Sequence, residues 1–280
     1  MSFTIGCYQH KKYCYMVVLN EQGTVVQQDK FYHNDPTRLD KFLSSLPSGS
    51  KLVMETCGFD AWLADKIESF GIRVILSHPG KTKAIAEAKI KTDKIDARIL
   101  AELLRAGLIV EAYLPPYELR EQRYLLRQRQ NLVQHRTMVK NTIHALLARI
   151  GIQPPEVSDL FGAKGRAWLN QLKLTDIYNQ AVKTNLDLID TLTSNIKDIE
   201  NQIKKILKQN DNADLLMTIP GIGIIAAYLL LVEIGPIERF NSDEKLCSYA
   251  GIVPRVYQSG NTRHTGSITK QGNKFIRWVL

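Results

Sequence analysis

"FTIGCYQHKKYCYMVVLNEQGTVVQQDKFY", residues 3–32, is the stretch on which the fold turns. It contains three runs rich in β-branched and aromatic residues, 3–8, 13–19 and 24–32, and such runs favour strands. "NEQG" at 20–23 supplies turn chemistry between the second run and the third. Three antiparallel strands are therefore expected at the start of the chain.

Further along, the pattern changes to alternating helices and strands. Residues 36–46 read as a short helix with Leu39, Phe42 and Leu43 on one face. "KLVMET" (51–56) reads as a strand, and "DAWLADKIESFG" (60–71) as a helix stopped by Gly71. "IRVILSHP" (72–79) is a further strand ended by proline. "AKIKTDKIDARILAELLRAG" (88–107) is then a helix of good helix formers. The resulting order, β-β-β-α-β-α-β-α, is that of a ribonuclease H-like domain, an α/β fold whose acidic residues gather at the sheet centre around metal ions.

Three acids fit that arrangement. Glu55 ends the fourth strand, where open α/β sheets meet their ligands. Asp93 and Asp96 are three residues apart and share a helical face. Taken alone, the pair has two readings. Acids are favoured in a first helical turn by the helix dipole, and paired carboxylates also hold Mg²⁺ against phosphate. The strand-end Glu55 beside them makes a metal site the expectation.

Charge points to the partner. Lys and Arg total 37 against 28 Asp and Glu, a net charge of +9, a balance that favours nucleic acid or another polyanion. Residues 251–280 carry Arg255, Arg263, Lys270, Lys274 and Arg277 and no acid, and residues 116–150 carry seven Lys and Arg against two Glu. Both stretches read as footprints for a phosphate backbone. Cys7, Cys14, Cys57 and Cys247 form no CxxC pair, so no zinc or disulfide pattern follows. The N-terminus lacks the apolar core of a signal peptide, and the run Ile222–Val232 is too short to span a bilayer. A reduced, cytoplasmic protein without membrane association is expected.

Residues 118–150 read as one long helix, with Leu125, Leu132, Val139, Ile143, Leu146 and Ile150 as its apolar stripe and Arg127, Arg136 and Lys140 among its candidate nucleic-acid contacts. "QPPEVSDLFGAKG" (153–165) interrupts it. In 180–208, Ile189, Leu192, Ile196, Ile199, Ile203 and Ile206 alternate at three- and four-residue spacing, a heptad seam. Such a seam closes either between two copies of the chain or within one helical bundle; pairing between copies is the expectation. Ile219-Pro220-Gly221-Ile222-Gly223 resembles a helix-hairpin-helix element. Gly221 and Gly223 there let backbone N–H groups approach a phosphate; a tight turn between helices also wants glycine. Ser259, in "QSG", reads locally as a turn serine. With Arg255, Arg263 and His264 nearby it is also a candidate nucleophile, because a serine attacking a phosphodiester needs activation and neighbouring cations.

Taken together, "METCGFDAWLADKI" (54–67), "HPGKTKAIAEAKIKTDKIDARILAELLR" (78–105), "IPGIGIIAAYLLLVEIG" (219–235) and "YAGIVPRVYQSGNTRHTGSITKQGNKFIRW" (249–278) resemble the DEDD-type (Piv/MooV-like) insertion-sequence transposases, insertion-sequence family one hundred and ten. The resemblance covers nearly the whole chain. It implies a RuvC-like domain over 1–115, a helical and coiled-coil region over 116–212, and a C-terminal transposase domain over 213–280. It further implies DNA strand exchange at a composite site of Mg²⁺-bound acids and a serine. A structured bridge RNA as guide and a homodimer or tetramer built through the coiled coil also follow from it. Glu55, Asp93 and Asp96 match the last three acids of the set, and Ser259 matches the serine. One position departs. The opening strand reads Ile5-Gly6-Cys7-Tyr8-Gln9-His10-Lys11, with Tyr8 where the first aspartate belongs. A tyrosine (pKa about 10) brings no charge at neutral pH. The chain also ends at Leu280 within what reads as a C-terminal helix, shorter than family members. A catalytically impaired relative that keeps DNA and RNA binding is the alternative reading.

Overall fold

The structure, a computed structural model, describes residues 2–58, 60–85, 92–260 and 262–280, and Arg263 by its backbone only. The chain divides into two compact units, Met1–Leu114 and Pro115–Leu280.

The first unit runs β1 (Thr4–Gln9), β2 (Tyr13–Leu19), β3 (Val25–Tyr32), α1 (Pro36–Ser44), β4 (Lys51–Glu55), α2 (Asp60–Glu68), β5 (Arg73–Ser77), α3 (Pro79–Ile85), α4 (Asp93–Arg105) and β6 (Glu111–Ala112). Its single sheet has the order β3-β2-β1-β4-β5-β6. β1, β2 and β3 pair antiparallel, β4 joins β1 in parallel, and β5 joins β4 in parallel. The sharp connection from β2 to β3 is made by Asn20, whose side-chain oxygen accepts from the N–H of Gln22 at 3.1 Å and of Thr24 at 2.8 Å. This is the local competition with regular structure that makes Asn a turn residue.

Alternation along the strands separates the two faces of the sheet. Ile5, Cys7, Leu52 and Met54 point to one side and pack with Leu39, Phe42 and Leu43 of α1 and Leu63, Ala64 and Ile67 of α2. Val17 and Leu19 point to the other and pack with Ala97 and Ala101 of α4. Gly6 lies on the α4 side of β1. A Cβ there would stand 1.8 Å from the Ala97 carbonyl oxygen and 2.6 Å from the Ala101 nitrogen. The missing side chain is what lets α4 seat directly on the central strand.

In the second unit come α5 (Tyr117–Arg149), α6 (Ala163–Gln171), α7 (Asp176–Leu207), α8 (Asp211–Met217), α9 (Ile224–Ile234), a 3₁₀ turn (Ile237–Arg239), α10 (Asp243–Ala250), the hairpin β7 (Pro254–Ser259) and β8 (Thr262–Ile268), and α11 (Lys274–Val279). At 1.5 Å per residue α5 is about 50 Å long, and α7 runs alongside it. The heptad positions of α7 are buried: Val182, Leu186, Ile189, Leu192, Ile196, Ile199, Ile203 and Leu207. Their partners lie within the same chain. Ile143 and Leu147 of α5 share one cluster with Val182, Leu186 and Ile189. Leu126 shares another with Ile199, Ile203 and Leu207, together with Tyr228, Leu229 and Val232 of α9.

Two expectations are corrected here. The seam is not open to a second copy, because α5 and α9 already cover it; Ile206, read as part of it, is 42% exposed. The fully buried residues of α5 are Leu126, Ile143 and Leu147, one position away from parts of the expected stripe, because that stripe faces two helices rather than one. Leu126, from the stretch 116–212, and Tyr228, from 213–280, share one cluster within this unit. No helix among the described residues is long and apolar enough to cross a membrane.

Candidate catalytic and nucleic-acid-binding sites

The acids of the first unit are placed by α4 and the ends of β1 and β4. Thr92 caps α4, its hydroxyl accepting from the Ile95 N–H at 3.2 Å, so Asp93 and Asp96 occupy the first turn and gain from the helix dipole as well. Along the β1–β4 ladder Cys7 pairs with Met54. Tyr8 and Glu55 are the next residues on each strand, on the side facing α4. Tyr8 also packs with Ala97 and Ala101. Its phenol is harder to ionise than usual, first because of burial and then because of the negative charge of Asp96, Asp93 and Glu55. The charges of all three acids thus act on the Tyr8 phenol.

Asp93 is held from both sides. His10 Nε2 lies 3.1 Å from Oδ1, and the Tyr13 hydroxyl donates to Oδ2 at 2.8 Å. Burial works against its ionisation, but the bonds from Tyr13 and His10 outweigh it and hold the carboxyl below the usual range. The same bond raises the Tyr13 phenol. Behind Tyr13, Lys30 Nζ sits 3.6 Å from the ring centroid, a cation–π contact. His10 stacks at 4.6 Å on Tyr13 and meets Tyr8 edge-on at 5.1 Å. This cluster of His10, Tyr13 and Lys30 was not legible as part of the site. The stretch "QHKKYCY" (9–15) holds His10 and Tyr13 on either side of the turn between β1 and β2, while Lys30 comes from β3.

A divalent metal is what this fold family implies, and the donors here are hard oxygens suited to Mg²⁺. Among the described residues, no three His, Cys, Asp or Glu side chains are drawn together tightly enough to enclose an ion unaided. Mg²⁺, however, is commonly held by one or two carboxylates with water and substrate phosphate completing its shell. Glu55 and Asp96 fit that role for one ion, with Asp93 beside them. Tyr8 and the bonded oxygens of Asp93 do not favour a second.

In the second unit, Ser259 closes β7 and pairs with Thr262 across a tight turn that contains Gly260 at φ +57°. Every residue of β7 is exposed. Arg255 is exposed and donates to the Thr269 carbonyl at 3.4 Å. Lys270 and Lys274 are exposed as well; the side chain of Arg263 lies outside the described residues. Gly221 (φ +91°) and Gly223 form the exposed turn between α8 and α9, and Gly223 is the N-cap of α9. These groups share one unit, but no distance links the turn to Ser259.

The cations expected on α5 are differently employed. Arg127 donates through Nε and Nη2 to Glu233 Oε1 at 3.2 and 3.0 Å, and its guanidinium lies 5.0 Å from the Phe275 ring centroid. Its side chain remains 47% exposed. Arg136 and Lys140 have longer contacts, 3.3 Å to Thr193 and 3.8 Å to Asp159. Glu233, fully buried in α9, escaped sequence reading; its signal was a lone acid inside the apolar run "LLLVEIG".

Comparison with known proteins agrees with the geometry at both ends of the chain. Residues 5–152 match the model of a DEDD-type IS110 transposase domain, and residues 213–280 match that of the IS116/IS110/IS902 transposase family. The chain is 28% identical to the transposase for insertion sequence element IS1111A of Coxiella burnetii, over 82% of this chain and 63% of that protein. It is 27% identical to the transposase for element IS1328 of Yersinia enterocolitica, over 87% of this chain and 72% of that protein. A shorter match, 39% identity over 34% of this chain and 31% of its relative, reaches the pilin gene-inverting protein of Moraxella bovis. With one family model spanning more than half of its residues, the chain belongs to the IS110 family of insertion-sequence transposases.

Proposed function

We propose that this chain recombines DNA for an insertion sequence, with Ser259 as the nucleophile and Glu55, Asp93 and Asp96 as the acids of a Mg²⁺ site. The observation that carries the reading is that Glu55, at the end of β4, shares the α4 side of the sheet with the first turn of α4, which holds Asp93 and Asp96, in a family of DNA recombinases. In the proposed step the Ser259 Oγ loses its proton and bonds to phosphorus. The deoxyribose oxygen of the cleaved strand leaves and takes up a proton. Arg255 and the acid-free tail hold the phosphate near the serine and offset its charge. Glu55, Asp93 and Asp96 would hold Mg²⁺, whose charge would help to neutralise phosphate. His10 and Tyr13 keep Asp93 ionised and oriented. A structured RNA encoded by the element as guide, and self-association through a surface other than the α5–α7 seam, belong to the same reading.

The test is trapping of a covalent protein–DNA adduct on DNA carrying the element end. Ser259→Ala is expected to abolish the adduct while DNA affinity changes less than about twofold, because the cations that supply affinity remain. Strand exchange that persists in Ser259→Ala would refute the serine's role.

Tyr8 itself supports a second reading, a relative impaired in catalysis that still binds nucleic acid. Tyr8→Asp adds a charged oxygen donor among three acids. It is expected to tighten Mg²⁺ binding in calorimetry by about tenfold or more, the equivalent of about 1.4 kcal/mol. An adduct formed by Tyr8→Asp and not by the parent chain would favour the impaired reading. Unchanged Mg²⁺ affinity would mean that Tyr8 is not at the ion.

A further inference from the structure

The β7–β8 hairpin carries more than the serine. Its register sets Ser259 opposite Thr262 and Tyr257 opposite His264. Successive side chains on a strand alternate between faces, so Ser259, Thr262, Tyr257 and His264 form one face of the ribbon. Tyr257 is 64% exposed and every other residue of β7 is exposed with it. Residues opposite each other on an antiparallel pair stand about 5 Å apart at Cβ. Tyr257 and His264 thus occupy opposite positions on that face, one step of about 7 Å along the strand from the serine. The 30 residues from 251 to 280 carry no acid.

A cationic ribbon of this kind suits a phosphate backbone, and the rings add something that charge does not require. An aromatic face accepts a base by stacking, whatever the base. Bases within a duplex already stack on each other, so a base reaches such a ring only where the strand is unpaired or splayed. From this we infer that Tyr257, with His264 beside it, is a stacking platform for an unpaired DNA base adjoining the phosphate at Ser259. The inference rests on the proposed role of Ser259 for its position in the reaction, but its binding step stands apart from that chemistry. It makes Tyr257 a positioning residue: it holds the strand at a fixed step from the serine, and bonds made or broken there do not involve it.

The experiment uses the full chain and a single-stranded DNA oligonucleotide containing 2-aminopurine, whose fluorescence falls when it stacks on an aromatic ring. The same oligonucleotide annealed to its complement and a single-stranded RNA of the same sequence are the comparisons. Tyr257→Ala is expected to weaken single-stranded DNA binding by about tenfold, the usual loss for one base–aromatic stack, and to relieve the quenching. Duplex binding should change less than about twofold, and Tyr257→Phe should retain both affinity and quenching. Equal losses on single-stranded and duplex DNA would show that Tyr257 only supports the ribbon and would overturn the inference, as would quenching that survives Tyr257→Ala. Tighter, equally Tyr257-dependent binding of the RNA would overturn the choice of DNA. Ser259→Ala should leave all these readings unchanged. An adduct that never forms while the Tyr257 dependence holds therefore refutes the proposed chemistry and not the platform.

Discussion

Replacing Gly6 with alanine is expected to destabilise the N-terminal unit by about 3 kcal/mol or more, the upper end of overpacking costs. The new Cβ would stand 1.8 Å from the carbonyl oxygen of Ala97 and 2.6 Å from the nitrogen of Ala101. Both obstacles are backbone, so no change of rotamer relieves them, and α4 must move away from β1. The hydrophobic contacts of Val17 and Leu19 with Ala97 and Ala101 would loosen with it. Asp93 and Asp96 ride on the first turn of α4, so the bonds from His10 and Tyr13 to Asp93 would lengthen too. Urea unfolding measures the loss. Gly58→Ala, where a Cβ meets nothing within 4 Å, is the control expected to change little. Ala97→Gly should not rescue Gly6→Ala, because the clash is with a carbonyl and not with a methyl. A Gly6→Ala protein of unchanged stability would mean that α4 does not lie on β1 as described.

The second large effect is expected at Glu233. Its carboxylate is fully buried and accepts from Arg127 at 3.0 Å and from Asn273 Nδ2 at 2.7 Å. Its backbone carbonyl accepts from Arg123 Nη2 at 2.8 Å and from the Tyr249 hydroxyl at 3.1 Å. One residue of α9 thereby ties α5, α10 and the cap of α11 together. Removing the carboxylate takes its partner from Asn273 Nδ2, while the half-exposed Arg127 turns to water, at a cost of about 1–3 kcal/mol. Glu233→Ala should lower the unfolding free energy of the C-terminal unit by that amount. Glu233→Gln keeps the shape and one acceptor and should cost less. Because Asn273 both caps α11 and bonds Glu233, hydrogen exchange in 274–279 should rise in Glu233→Ala. Protection unchanged in that segment would show that α11 is held by Ile276 and Phe275 packing instead.

Read by itself, the sequence determined the features that depend on near neighbours. The three opening strands, the turn at Asn20, the helix that carries Asp93 and Asp96 and the two long helices follow from alternation, periodicity and turn chemistry, which act over a few residues. The acids Glu55, Asp93 and Asp96 and the basic, acid-free tail were legible for the same reason, whereas Tyr8 stood out only against the opening strand of the family that the chain resembles. Residue type and spacing already express their chemistry.

Only the tertiary structure decided what each surface faces. A heptad pattern records that one side of α7 must be buried, but burial energy is non-directional, so the pattern does not name the partner; α5 and α9 of the same chain fill it. Positive charge on α5 likewise records affinity for anions in general. For Arg127 the anion is Glu233, 106 residues away in the chain. The grip of His10 and Tyr13 on Asp93 spans 83 and 80 residues and exists only because Gly6 lets α4 settle against β1. Contacts at that separation are set by packing, which no local pattern encodes.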